Sequence, residues 1–391
     1  MVQLDASVDR SKSAVLIGLG NIGGFAAGLL GRLPNLERIM LLDRDVYEGK
    51  NLASQDIGPD AVGHPKALVQ AERLRRINPA LHVAALAEDV ERVPLGLLRA
   101  DVLVACLDSR RARQYVNQAA WRLGVPWIDA GVRPEGLLAR VNVYRPANDQ
   151  PCVECAWDPQ RDYELIEQVY LCNGDDPLPT PTNAPASLGA LAAALQVLEC
   201  QMLFAAQWER VAVGKQVLVD AGSHRHFVTS YRRNSACRFD HAIWQIDGFA
   251  QRAHQLSIGA ALALAGRATA PPGAALRVEG QVFVRRLVCP RCGEARELPW
   301  RLSGRLGSEQ HCVGCQRRMF APAADVRAWL GESDLQPAAL GDTVRSLGFR
   351  DGDVFTVRAA NGDRHFELGV CDSAIVAAAD LAASQPFGAC G

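Results

Sequence analysis

Two groups of residues in this chain have types and spacings that suit chemistry. Gly18-Leu19-Gly20-Asn21-Ile22-Gly23 is a G-x-G-x-x-G loop, and Asp43 follows it some 20 residues on. Glycines let a backbone approach a phosphate closely, and a helix N-terminus favours its negative charge. An acid at that distance suits a ribose hydroxyl. Taken alone, the loop and the acid describe a dinucleotide site as readily as a mononucleotide one. The second group is cysteine. Of twelve cysteines, six form three C-x-x-C pairs: Cys152/Cys155, Cys289/Cys292 and Cys312/Cys315. Paired thiols in a chain without a secretion signal read as metal ligands rather than disulfides. The last two pairs are separated by 19 residues, which is the pattern of a four-cysteine zinc ribbon.

The elements that must position these residues alternate through the first half. AVLIG (Ala14–Gly18) is an apolar strand running into the glycine loop, and Asn21–Leu33 follows at helical spacing. Arg38–Asp43, His82–Leu86, Asp101–Cys106 and Pro126–Ala130 continue the strands, with helices expected over Ala61–Ile77 and Ser109–Gly124. This alternation predicts an α/β fold, a Rossmann-like and mainly parallel sheet covered on both faces. Leu138–Tyr144 and Lys215–Asp220 read as further strands, and Ser187–Ala206 as a buried apolar helix. The character changes near Asp247. A helix over Gln251–Ala265 and a loose linker, Ala268–Ala275, precede the two cysteine pairs, and the DGD and NGD turns near the end predict hairpins. The expected organisation is a nucleotide domain over 1–246, helix and linker over 247–275, a zinc ribbon over 276–325 and a small β-rich segment with a tail over 326–391.

Composition excludes little but points away from some partners. Nearly half of the 391 residues are hydrophobic and the formal net charge is −1. Nothing in that balance calls for nucleic acid or a membrane surface. The N-terminus has no basic flank followed by an apolar core, so a cytoplasmic protein without a signal peptide is expected.

The segment LLDRDVYEGKNLASQDIGPDAVGHPKA (Leu41–Ala67) departs from a dehydrogenase. It resembles the D-x-D-x-V-x-x-x-N-L-x-R-Q … G-x-x-K segment of the ubiquitin-activating enzyme superfamily, which includes adenylyltransferases of the MoeB, ThiF and HesA types. Asp43, Asp45, Val46, Asn51, Leu52, Gln55, Gly63 and Lys66 match. Ile77–Pro79, the run around Asp108, Arg113 and Asn117, Asp129–Gly136 and Pro151–Cys155 extend the resemblance over roughly Ser13–His241. It implies ATP-dependent adenylation of the C-terminal glycine carboxylate of a ubiquitin-like or sulfur-carrier protein. Asp43 would bind ribose, Lys66 the phosphates and Asp108 a magnesium ion, while Asn51 and Gln55 would order the phosphate loop. Gly18, Gly20, Gly23 and Asp45 would complete the ATP site. Cys172, in the crossover loop expected near 165–185, would accept the acyl group. Cys152 and Cys155 match half of the family's structural zinc site; Cys237 with His241, or Asp240, would supply the rest. The family also implies a homodimer, or a heterodimer with a paralogous half, and leaves room for a conjugating enzyme as a further partner. Ser54 stands where the family has arginine, which leaves open a weakly active or inactive scaffold that binds a ubiquitin-like partner. The C-terminal module lies outside the family pattern and is expected to contact the carrier or a downstream partner.

Overall fold

The computed structural model describes residues 11–158, 160–167, 184–266, 273–307, 310–359 and 362–370. The N-terminal part is built on an eight-stranded sheet. In chain order its elements are β1 (Lys12–Ile17), α1 (Gly23–Leu30), β2 (Leu36–Leu42), α2 (Lys66–Ile77), β3 (His82–Leu86), β4 (Val102–Ala105), α3 (Arg110–Leu123), β5 (Trp127–Arg133), β6 (Leu138–Tyr144), α4 (Arg161–Glu167), α5 (Ala186–Phe204), β7 (Lys215–Asp220) and β8 (Arg225–Ser230). The order across the sheet is β3-β2-β1-β4-β5-β6-β7-β8. The first five strands are parallel and the last three are added antiparallel. The chain order therefore reverses between β1 and β4, and a crevice opens at the carboxyl ends of those strands.

Residues on the central strands are almost wholly apolar because helices cover both faces. Leu16, Val104 and Ile128 pack with α1, α2 and α5 on one face, while Val15, Leu103 and Trp127 pack with α3 on the other. Helix α5 is the one described helix long and apolar enough to cross a membrane, and more than half of it is buried within the protein. It also carries a buried polar side chain. Gln196 donates to the carbonyls of Ala105 and Ile128 at 3.0 and 2.9 Å, clasping the ends of β4 and β5.

Two helices are shorter than their sequence pattern. Lys66 rather than Ala61 opens α2, because Gly63 takes φ +89° and Pro65 precedes the first turn. The expected Gln251–Ala265 helix contracts to α6 (Ile258–Ala263), which Ser257 caps through the Ala260 N–H.

The remaining strands are β9 (Ile246–Gly248), β10 (Ala275–Val278), β11 (Phe283–Val288), β12 (Ala295–Leu302), β13 (Val326–Arg327), β14 (Leu330–Gly331), β15 (Val354–Ala359) and β16 (Gly362–Glu367). A five-stranded sheet has the order β14-β10-β15-β16-β9, and a three-stranded sheet the order β12-β11-β13. Strands from all three expected C-terminal segments thus share one sheet and one apolar core around Leu276, Phe283, Phe355 and Phe366. The cysteine ribbon is inserted into that unit between β10 and β14. Strands β15 and β16 pair antiparallel on either side of the NGD segment, with Ala359 opposite Gly362; Ala360 and Asn361 lie outside the described residues. The DGD turn does not join paired strands; it lies against the N-terminal part, where the Gly96 N–H donates to the Gly352 carbonyl at 2.9 Å.

That junction contains a buried ion pair. Arg305 donates to Asp353 at 2.7 Å, with side chains only 5 % and 1 % exposed. The surrounding cavity, lined in part by Tyr115 and Gln281, has a volume of about 20 Å³, room for about one water. Burial pushes the Asp353 carboxyl up, against the opposing pull of Arg305. Removing one partner strands a buried charge, at a cost of about 3–5 kcal/mol. Asp353→Ala should lower the urea midpoint accordingly, and an apolar replacement of both partners should recover most of the loss.

Candidate functional site

The glycine loop turns from β1 to α1 under tight steric limits. Gly18 has φ +87°, and a Cβ there would stand 2.5 Å from the Cys106 carbonyl oxygen. A Cβ on Gly23 would stand 1.8 Å from the Gly18 carbonyl oxygen, so the loop closes on itself only with glycine at both positions. Gly20 faces open space apart from Gln55, which leaves its backbone approachable.

Asp43, at the end of β2, fixes that loop from the side. Its carboxylate accepts the Leu19 N–H at 2.6 Å and the Asp45 N–H at 2.8 Å. Burial raises its pKa, while Lys66 and the two N–H donors oppose the shift. The Leu19 carbonyl is held as well, by the hydroxyl of the buried Tyr47 at 3.0 Å, and Gln70 donates to that hydroxyl at 2.9 Å. Asn21 donates to the Ser54 carbonyl at 2.6 Å and to the Ala184 carbonyl at 3.2 Å, tying α1 to the following loop and to the start of α5.

The other expected site residues surround this loop. Lys66 is 8 % exposed at its side chain and lies 3.2 Å from the Asp45 carboxylate. Asn51 accepts the Glu48 N–H at 2.8 Å and closes a short 3-10 turn. Asp108 is exposed between β4 and α3, immediately before the helix cap Ser109. Its charge reaches Arg44: burial disfavours that guanidinium, but Asp89, Asp45 and Asp108 outweigh burial and raise its pKa.

The position of Asp108 has its own support. Asp129, fully buried, accepts from Arg113 at 2.8 Å and Arg140 at 2.7 Å. Arg113 also donates to the Leu107 carbonyl, one residue before Asp108. The cations near Ser54 are engaged. Lys50 pairs with Glu48 at 2.7 Å, Arg44 with Asp89 at 2.9 Å, and Arg73 with Asp56 at 2.5 Å. Cys172 lies outside the described residues.

Tyr47, Gln70 and Asn21 complete the loop's scaffold, a role their positions in the sequence do not announce. Tyr47 carried a signal, as an aromatic residue in an otherwise polar run. Gln70 had none beyond its place on the inner face of an amphipathic helix.

Both cysteine groups assemble. The donor atoms of Cys152, Cys155, Cys237 and His241 lie within 4.8 Å of one another, as do those of Cys289, Cys292, Cys312 and Cys315. In the first group Cys152 and Cys237 are 3.8 Å apart through sulfur, and Cys155 Sγ is 3.2 Å from His241 Nε2. A tetrahedron with zinc–sulfur bonds of about 2.3 Å has edges of about 3.8 Å, so this group fits the ion. His241 is the fourth ligand candidate, because Asp240 turns away to pair with Arg122 at 2.6 Å. Trp121 and Phe239 pack on the His241 ring at centroid distances of 4.8 and 5.2 Å and hold its orientation.

In the second group the sulfur separations are 3.4 Å for Cys289–Cys315 and 3.5 Å for Cys292–Cys312. Each pair sits on a tight turn, where the Gly293 N–H donates to the Cys289 carbonyl and the Gln316 N–H to the Cys312 carbonyl. Gly293 and Gln316 take positive φ at the turn ends, of 71° and 57°. Both groups could hold zinc. Cys200 is buried in the core and Cys106 is partly buried against it.

Comparison with known proteins agrees with this arrangement. The ubiquitin-like modifier-activating enzyme 5 of Oryza sativa subsp. japonica is 29 % identical over 162 residues, 38 % of this chain and 38 % of the relative. The sulfur carrier protein ThiS adenylyltransferase of Escherichia coli (strain K12) is 30 % identical over 167 residues, 42 % of this chain and 65 % of the relative. The chain thus spans less than two thirds of the length of either. A crystal structure of E. coli MccB with ATP is similar at 22 % identity and a TM-score of 0.47, over 58 % of this chain and 65 % of that one. The model of the ThiF family matches residues 6–238, from ahead of β1 to the second half of the first metal-ligand group. This chain belongs to the ThiF family.

Proposed function

We propose that this protein uses ATP to adenylate the C-terminal carboxylate of a ubiquitin-like or sulfur-carrier protein. The observation that carries this reading is the charge arrangement beside the glycine loop. Lys66, Asp45 and Arg44 form a run of ion pairs past the ribose-type acid Asp43, and the exposed Asp108 at the end of β4 is near enough for its charge to act on Arg44. A nicotinamide site has no use for a lysine and two further carboxylates there, whereas a magnesium-bound triphosphate has.

The chemistry asks for alignment more than for proton transfer. A substrate carboxylate is already ionised near neutral pH, so no general base is needed. Its oxygen attacks the α-phosphorus, and the bond to pyrophosphate breaks. The Leu19–Gly23 loop would hold the phosphates, with Asp43 on the ribose and Lys66 offsetting charge on the leaving pyrophosphate. Asp108 would hold magnesium, which neutralises phosphate charge, and the Asp129–Arg113–Leu107 chain sets where its carboxylate stands.

Zinc would staple the two ligand groups: one at the end of the adenylation domain, the other in a ribbon too small to fold on its own core. Transfer of the acyl group to Cys172 and a conjugating partner are later steps of the same reading. A homodimer is supported by the outer side of α5. Leu191, Leu195 and Met202 are only partly buried there, Leu198 is 54 % exposed, and Leu29 of the adjoining α1 is also exposed. Ser54 favours a second reading, a scaffold that binds a ubiquitin-like partner with little catalysis. The cations near Ser54 are in ion pairs, and an arginine on a transferring phosphate contributes several kcal/mol.

Pyrophosphate exchange into ATP, run with a glycine-terminated β-grasp protein, separates these readings. Adenylation predicts exchange that falls by about 100-fold or more in Asp108→Ala, as for loss of one charge-stabilising group. Exchange untouched by that substitution contradicts the site, and tight partner binding without any exchange favours the scaffold. Metal analysis of the purified chain should give two zinc ions. His241→Ala should release one and leave the ribbon ion in place; loss of neither contradicts the assignment of His241.

A further inference from the structure

Beside its contacts to α3, such as Glu279 with Arg122 at 3.2 Å, the C-terminal module touches one segment of the N-terminal part at several points. Residues 87–101 join β3 to β4 with only short 3-10 turns and no strand pairing of their own. Such a segment takes its shape from contacts with neighbouring elements. The module supplies four, spread along it. Arg350 donates to both oxygens of Glu88, each at 2.8 Å. Gln281 donates to the Glu91 carbonyl at 2.9 Å. The Gly352 carbonyl accepts the Gly96 N–H, and Glu367 pairs with Arg99 at 2.7 Å.

The same segment bounds an open cavity of about 560 Å³ lined by Arg44, Leu86, Ala87, Glu88, Asp89 and Arg92. Its place relative to the glycine loop is set by sheet register. Leu42 pairs with Leu86, and the Asp43 N–H donates to the Leu86 carbonyl at 3.3 Å. With phosphates on the loop and ribose on Asp43, a nucleotide continues outward across β2 into this cavity, base first.

We propose that the C-terminal module buttresses the nucleotide site from behind its lining segment, and that Arg350 is the positioning residue that sets the base side of the pocket through Glu88. This rests on the nucleotide reading above. It gives the module work distinct from the partner contacts expected from sequence. The fork between guanidinium and carboxylate fixes direction as well as distance, which a single contact does not. Arg350 is itself held: its N–H donates to Asp353 at 2.7 Å, and Asp353 is the buried partner of Arg305. On the other side Asp89, next to Glu88, caps the Glu91 N–H and pairs with Arg44. A rigid path of short contacts therefore runs from the module's interior through Arg350 and the Glu88–Asp89 turn to Arg44.

Calorimetric binding of magnesium-ATP and of tripolyphosphate to the full chain tests this. Tripolyphosphate shares the phosphates but has no ribose or base. Arg350→Ala should weaken ATP binding about tenfold while changing tripolyphosphate affinity by no more than about twofold, the scale of losing one charged contact at the base end only. Arg350→Lys, which keeps the charge without the fork, should fall between. Exchanging the pair, with Glu88→Arg and Arg350→Glu together, should restore ATP affinity. Wild-type ATP affinity in Arg350→Ala, or equal loss of ATP and tripolyphosphate, overturns the proposal alone. A wild-type chain that binds no ATP, or one indifferent to Asp43→Ala, overturns the nucleotide reading and this proposal with it.

Discussion

The Asp43 carboxylate reaches from the end of β2 to the Leu19 N–H at 2.6 Å, and the glycine loop has its shape because of that contact. A loop of small residues is entropically free in the unfolded chain, and glycine loses more freedom on ordering than any other residue. Here both polar groups of the Leu19 backbone are claimed, the N–H by Asp43 and the carbonyl by Tyr47. The near-contact of Gly23 with the Gly18 carbonyl removes what slack remains. A site preorganised in this way needs little rearrangement when charge develops on a phosphate. Asp43 retains lone pairs for a ribose, so the group that builds the loop is also placed to bind the ligand.

The same logic extends outward. Asp108 is exposed, but the backbone before it hangs on Arg113, which is itself locked onto the buried Asp129. Buried ion pairs contribute little net stability, yet they fix direction, and this protein places them behind exposed working groups. Asp129 stands behind Asp108 in this way, and Arg305–Asp353 stands behind Arg350. The C-terminal module is thereby part of the same mechanical unit as the sheet edge at β3, although its own core is separate.

Much of this was legible in the sequence because the chemistry is local. The glycine spacing, Asp43 and the order of Asp45, Asn51, Gln55, Lys66 and Asp108 carry the pattern of a nucleotide site within about a hundred residues. The C-x-x-C pairs state their turns directly, and the missing fourth cysteine points to His241 as a candidate ligand, which the structure brings to the three thiols. What sequence could not convey is pairing at long range. Nothing in Ile246–Gly248 says that it runs parallel to His365–Glu367, or that a ribbon is inserted between β10 and β14. The start of α2 moved to Lys66 because turn geometry at Gly63 and Pro65 overrode an apolar pattern that began earlier. The Tyr47–Gln70 hydrogen bond joins residues on different elements, and the pairing of that aromatic with that amide has no signature in sequence.

The central claim is that the pocket beside Asp43 takes ATP. Calorimetry of the full chain with magnesium-ATP and with NAD, in parallel, tests it most directly. The account predicts saturable ATP binding that Asp43→Ala abolishes, and no heat from NAD. NAD binding with no response to millimolar ATP would contradict it.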